Sequence, residues 1–280
     1  MIETANDRWQ EISVVNNLKW QMTVENGYPI LLAENYFKFP EQVREFLEQG
    51  HWWSNEFTNS FRPGKSVHIN PEIIDWVSVP IVKYIIPLLG LGSVKLTNMY
   101  GNCFNGNMTL PKINSAFPHV DLVEDTDFVS DTHIAFNINL TKSDDVTTGF
   151  WSFNGKKTYL DFNYNDRIEE DNFHKKVDNA LSEDAKWFQI EDYGPWVLEK
   201  KMSMVYNSFV AYPSHYFHSP YIKPEWFTDI DRVTLAGFLN TSPKDLNFQQ
   251  KDIDNICYAW EFFNLDKIHN YHPSKTKVPV

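Results

Sequence analysis

Two periodicities divide the chain. Apolar residues recur at helical spacing near the N-terminus, then alternate or cluster in short runs over most of the remainder. In Pro40-Glu-Gln-Val-Arg-Glu-Phe-Leu-Glu-Gln-Gly50, Val43, Phe46 and Leu47 fall on one stripe, while the proline suits a first turn and the glycine a stop; the pattern predicts a helix. A second helical region is expected over residues 71–89, interrupted at Pro80. Ahead of both, residues 18–37 read as two strands around the Asn26-Gly27 turn signal, with Ile30, Leu31 and Leu32 as a short apolar run.

From about residue 93 the chain changes to runs rich in β-branched and aromatic residues, so strands are expected over 93–100, 133–140, 148–153, 196–212 and 232–240. In the run His133-Ile-Ala-Phe-Asn-Ile-Asn-Leu140 the alternation puts Ile134, Phe136, Ile138 and Leu140 on one face. Helix-like segments followed by many short strands predict a mainly β domain with flanking helices, in the form of a double-sheet sandwich or jelly roll. Residues 161–194 form a polar insertion in which Ile168, Phe173, Val177, Leu181 and Trp187 suit one side of a helix packed on the strands, the alternative being a lid. A further helix is expected around 252–263. The organisation is thus one domain over 1–280, with a helical region at about 38–90, an insertion at about 161–194 and a helical extension at about 244–280, the last a candidate homodimer contact.

Composition narrows the partners. With 280 residues, 42% hydrophobic, and 21 Phe, 13 Tyr and 10 Trp, the chain has enough apolar surface for one large core. A net charge of -12 argues against a nucleic-acid surface or an anionic membrane, which leaves a small molecule or a protein or peptide. Cys103 and Cys257 form no C-x-x-C pair, so neither a disulfide framework nor a structural zinc is expected. No basic-then-apolar leader and no long apolar run occur, and a soluble, cytoplasmic protein is expected.

The chemistry centres on His119-Val120-Asp121. On extended backbone residues i and i+2 point the same way, and Pro118 disfavours helix at Phe117, so the histidine and the carboxylate can present two ligands together. Alone, His-x-Asp is a pattern that chance produces. Two candidates for a third ligand, His215 and His218, lie in Tyr212-Pro-Ser-His-Tyr-Phe-His218; on one continuing strand they would face opposite ways, and residue chemistry leaves the choice open. Two imidazoles and one carboxylate on one side of a ferrous ion leave adjacent positions open, the arrangement of non-haem iron oxygenases. Downstream, Arg232 and Thr234 share a face at the start of an apolar strand, where a guanidinium plus a hydroxyl would suit a carboxylate; an ion pair with Asp229 or Asp231 is the plain alternative.

Taken in order, Pro-His119-x-Asp121, Thr148-Gly-Phe, Tyr212-Pro-Ser-x-x-x-His218 and Arg232-x-Thr234 resemble the Fe(II)/2-oxoglutarate-dependent dioxygenase superfamily, in particular its prolyl-4-hydroxylase-like branch, over roughly residues 93–240. The stretch 29–37 with the helix after it is similar to the opening segment of such enzymes. The resemblance implies a double-stranded β-helix of cupin type, iron held by His119, Asp121 and His218, and 2-oxoglutarate reaching Arg232 with Thr234 as helper. It also implies a carboxylate role for Tyr100, with core packing as the equal alternative. The activity implied is hydroxylation of a C–H bond by dioxygen with release of succinate and carbon dioxide, with ascorbate as an accessory reductant and without a separate general base. A non-catalytic metal-binding jelly roll and a cupin-type metalloenzyme that does not use 2-oxoglutarate are the competing expectations. The motifs leave the substrate open between a peptide prolyl or other side chain and a small molecule. Loops 101–118 and 122–132 and Trp52, Trp53, Trp151 and Trp226 are the candidate substrate contacts, with core packing the alternative for the tryptophans.

Overall fold

The computed structural model describes residues 18, 20–48, 53–54, 64–69, 94–105, 117–121, 133–180 and 194–241. The chain opens with a hairpin, β1 (Trp20–Glu25) and β2 (Tyr28–Ala33), whose two-residue turn places Asn26 at φ 52° and Gly27 at φ 80°. Positive φ at both central positions is what the twist of a tight hairpin requires, and Asn-Gly tolerates it. Helix α1 (Pro40–Glu48) follows, with Val43 and Leu47 buried. Its Arg44 pairs with Glu48 at 2.8 Å and donates to the Leu140 carbonyl at 3.0 Å, which pins the helix to a strand end.

Short strands β3 (Trp53–Ser54) and β4 (Lys65–His68) lead into β5 (Val94–Phe104), β6 (His133–Asn139) and β7 (Thr147–Phe153). Within the expected helical region 38–90, therefore, the described part holds one helix and two strands; the expected helix over 71–89 lies outside the described residues, as do the C-terminal extension and residues 106–116 and 122–132. Helix α2 (Tyr164–Ala180) occupies the insertion, and β8 (Trp196–Ser203), β9 (Phe209–Pro213), β10 (His218–Tyr221) and β11 (Arg232–Thr241) complete the chain. The strand expected over 196–212 is two strands, because Asn207 adopts φ 59° between them and turns the chain. Its side chain closes that turn by accepting from the Phe37 amide and donating to the Phe37 carbonyl, both at 2.8 Å.

Strand order fixes the architecture. The large sheet runs β1-β2-β9-β6-β11-β5-β4-β3 and the small one β10-β7-β8. A bridge between His119 and His218 adds residue 119 to the open side of β10 as a one-residue strand. Reading from β5 in chain order, segments fall in the large sheet, the small, large, small, small, large, small and large, giving four apposed strands on each side. Eight strands so wound are a jelly roll, the double-stranded β-helix. All pairings within both sheets are antiparallel.

Two aromatic clusters hold the layers. Between the sheets lie Tyr28, Phe104, Phe150, Val210, Tyr212, Ile222 and Phe227. Behind the small sheet, Phe117, Trp151, Phe153, Phe162, Trp196, Phe217 and Tyr221 form the second. Each such ring removed from water contributes roughly 1.5–3 kcal/mol before entropy is counted. The alternation of β6 behaves unexpectedly. Register with β11 puts Ala135, Asn137 and Asn139 on the face shared with Phe238, Ala236 and Thr234, so the clean apolar set Ile134, Phe136 and Ile138 faces outward. That outer face is itself covered: Phe136 stacks on Phe209 and Phe209 on Tyr36, with ring centroids 5.3 and 5.0 Å apart.

The insertion helix begins at a cap in which Asn163 accepts from the amides of Asn165 and Asp166 while Asp166 accepts from the Asn163 amide. Phe173 packs against the outer aromatic cluster, so α2 braces the back of the small sheet, whereas Ile168 of the expected stripe is exposed. Among the described residues no helix is long and apolar enough to cross a membrane.

Candidate metal centre

A cavity between the sheets is lined by residues from both, including His119, Asp121, His218, Arg232, Thr234 and Tyr212. The first three converge. One ligand atom from each of His119, Asp121 and His218 lies within 4.8 Å of the other two, and among the described residues this is the group of three that could hold a metal ion. The Asp121 carboxylate stands 2.9 Å from Nε2 of His218 and 3.7 Å from Nε2 of His119, and the two imidazole centroids are 4.7 Å apart.

The backbone explains the convergence. His119 and His218 exchange both amide-to-carbonyl hydrogen bonds, at 2.9 and 3.0 Å, so residues about a hundred apart in sequence are locked side by side; the Asp121 amide donates to the Ser214 carbonyl at 3.1 Å. Each ring is then aimed by its other nitrogen: Nδ1 of His119 lies 2.9 Å from the Phe117 carbonyl and Nδ1 of His218 lies 2.9 Å from the Tyr216 carbonyl. A carbonyl can only accept, so each Nδ1 carries a proton, and each Nε2 is aimed at the same point as the carboxylate. That is the outer-shell arrangement of metal-bound histidine. The residues fit a divalent ion with three protein ligands.

His215 sits elsewhere. The chain turns after β9, with the Tyr216 amide donating to the Pro213 carbonyl at 3.3 Å, and His215 is buried beside Tyr216 at a ring distance of 4.8 Å. Burial pushes its imidazole down to about 4, so it is neutral at pH 7. The parity argument presumed one continuous strand; a turn separates the two histidines instead.

Deeper in the cavity, Arg232 and Thr234 occupy successive inward positions of β11 and are 7% and 1% exposed. Neither aspartate considered above pairs with Arg232: Asp231 accepts from Asn105 at 2.7 Å, and no acidic partner of Arg232 occurs among the described residues. Its Nε has no acceptor there, and burial pushes the guanidinium down to about 10. A buried cation with an orphaned donor is costly unless an anion joins it. Tyr100 lies in β5 opposite Ala236, and its side chain is outside the described set.

Three further side chains stand on the cavity wall: Asn137, which no motif marks; Tyr212, which opens the Tyr-Pro-Ser motif; and Asn102, from the expected substrate loop 101–118, whose residues 101–104 belong instead to strand β5. The Tyr212 ring meets His218 edge-on at 4.7 Å, and its hydroxyl accepts from the Asn137 amide at 3.0 Å. Pairing brings the two asparagines inward: with Arg232-x-Thr234 on the inward face of β11, register sets Asn102 of β5 opposite Thr234 and Asn137 of β6 opposite Ala236. Trp151, by contrast, belongs to the outer cluster and donates to Ser219 Oγ at 2.9 Å, and Trp226 packs beside it; Trp52 lies outside the described residues, as does the side chain of Trp53.

A jelly roll carrying a two-histidine, one-carboxylate group and a buried guanidinium is the class that fold and site define. No family model matches the chain, and no curated protein matches it in sequence. Solved structures do resemble it in shape. HygX from Streptomyces hygroscopicus with nickel and 2-oxoglutarate bound is 12% identical, with a TM-score of 0.46 over 76% of this chain and 83% of that one. The viral collagen prolyl hydroxylase from Paramecium Bursaria Chlorella virus-1 is 6% identical, with a TM-score of 0.43 over 78% and 93%. The epimerase SnoN in complex with Fe3+, alpha ketoglutarate and nogalamycin RO is 10% identical, with a TM-score of 0.43 over 76% and 78%.

Proposed function

We propose that the protein is an Fe(II)- and 2-oxoglutarate-dependent oxygenase that hydroxylates a C–H bond of a small molecule or a peptide side chain. Dioxygen supplies one oxygen atom to the product and one to succinate, with carbon dioxide released from 2-oxoglutarate. The observation that carries this reading is the pairing of two features in one cavity: a convergent His119, Asp121 and His218, and a buried Arg232 whose Nε has no acceptor among the described residues.

A bound ferrous ion supplies the activation of dioxygen that no side chain here can perform. The chain's own part is positional. His119, Asp121 and His218 would hold the ion, with room for exogenous ligands beside them. The carbonyls of Phe117 and Tyr216 keep the rings in the metal-binding tautomer. Arg232 and Thr234 would take the remote carboxylate of 2-oxoglutarate, fixing which end of that acid meets the metal.

The test is succinate formation and oxygen uptake with ferrous iron, 2-oxoglutarate and ascorbate, in wild type, His119→Ala and Arg232→Ala. Loss of both signals in both variants is expected. Turnover that survives both substitutions refutes the site, and oxygen uptake without succinate in wild type, lost in His119→Ala but kept in Arg232→Ala, points to a metalloenzyme that does not use 2-oxoglutarate.

A further inference from the structure

We infer that Asn102 is a third carboxylate-binding residue, its amide group held toward the ligand by Ser66. The inference rests on the reading of the cavity just given and extends it to a side chain that no motif marks.

Asn102 lies in β5, directly opposite Thr234 of β11 on one side and Ser66 of β4 on the other. Thr234 in turn faces Asn139 of β6. Residues directly opposite in a sheet share a face, so Ser66, Asn102, Thr234 and Asn139 form one polar row across four strands of the inner face, one step from Arg232. Ser66, Thr234 and Asn139 are buried at 5%, 1% and 0% exposure. A polar row inside an aromatic jelly roll is costly unless its groups are satisfied.

The row divides into groups already satisfied and groups that open on the cavity. Asn139 is consumed by the fold: its amide donates to the carbonyls of Thr141 and Met204, and its oxygen accepts from the Thr141 amide. Asn102 is different. Ser66 Oγ donates to Asn102 Oδ1 at 3.0 Å, which fixes the amide plane and occupies its acceptor. The Nδ2 hydrogens remain on the other branch of that amide, and Asn102, Thr234 and Arg232 all line the cavity. A carboxylate offers about four acceptor sites on two oxygens, more than a guanidinium edge alone fills. Arg232, the Thr234 hydroxyl and the Asn102 amide together supply donors from two strands around one anion.

Binding of 2-oxoglutarate to protein loaded with Mn(II) without oxygen, followed by calorimetry, tests this, with Mn(II) affinity measured beside it. Asn102→Asp is the informative variant. It keeps the oxygen that accepts from Ser66 but replaces the donor with a negative charge facing the ligand. The expected result is a loss of 2-oxoglutarate affinity of about tenfold to a hundredfold, the range for a charge-assisted hydrogen bond, with Mn(II) affinity unchanged. Asn102→Ala should lose about tenfold, and Ser66→Ala, which only frees the amide to rotate, should lose less than that. Wild-type affinity in Asn102→Asp while Arg232→Ala loses the ligand overturns the role of Asn102 and leaves the proposed function standing. Failure of wild-type protein to bind 2-oxoglutarate overturns both.

Discussion

Replacing Arg232 by methionine separates stability from function. Burial pushes the guanidinium down from its usual range to about 10. At roughly 1.4 kcal/mol for each tenfold change in proton affinity, the folded protein carries a penalty of about 3 kcal/mol for keeping this group charged. The sign follows from the direction. A cation whose folded value lies below its unfolded value destabilises the native state wherever both forms are protonated, and relief comes only above about pH 10. Methionine has a similar reach and no charge, so Arg232→Met should raise stability without ligand by about 1–3 kcal/mol. Urea unfolding at pH 7, with and without 2-oxoglutarate and Mn(II), is the assay. Wild type should gain about 2.7 kcal/mol when the ligand stands at a hundred times its dissociation constant, and the variant nothing. A variant several kcal/mol less stable than wild type, with or without ligand, would refute the reasoning, since Arg232 would then be a satisfied structural residue.

Other outcomes follow from single side chains. Because His215 is held neutral, with its folded value near 4 against 6.5 when unfolded, the protein should lose stability as pH falls from about 6.5 towards 4. The loss should reach about 2 kcal/mol by pH 5, and His215→Phe should flatten that slope in urea titrations at pH 7, 6 and 5. Asn207→Ala removes both hydrogen bonds to Phe37 and puts alanine at φ 59°, which should cost about 2–4 kcal/mol by the same method; Asn207→Gly, free of the backbone strain, should cost less. Trp196→Ala, emptying the centre of the outer aromatic cluster, should cost about 3–5 kcal/mol in thermal unfolding.

Much of the barrel was legible along the chain because its strands are short, apolar and separated by turn residues. Arg232–Thr241 and His133–Asn139 fall within a residue or two of their expected bounds, and the Asn26-Gly27 hairpin turns where the dipeptide says. What local pattern could not convey was anything decided by pairing. The one-residue strand at His119 exists only because His218 lies beside it, and nothing nearby in sequence announces that. For the same reason the apolar alternation of β6 pointed to a core face without saying which; both faces are buried, and the polar one lines the site. Chemistry brought His119, Asp121, His218 and Arg232 forward as special residue types, whereas Asn102 and Asn137 are ordinary residues brought to the cavity by the strands opposite them. The choice between His215 and His218 turned on a bend after Pro213 that strand parity does not foresee.

The most direct measurement is the visible absorption of the protein under anaerobic conditions as ferrous iron and then 2-oxoglutarate are added. A weak charge-transfer band that appears only when both are present, and is absent from His218→Ala and Arg232→Ala, is the predicted result, because it requires the acid and the histidine–carboxylate group on the same ion. Folded wild-type protein that shows no band at saturating concentrations of both would contradict the account.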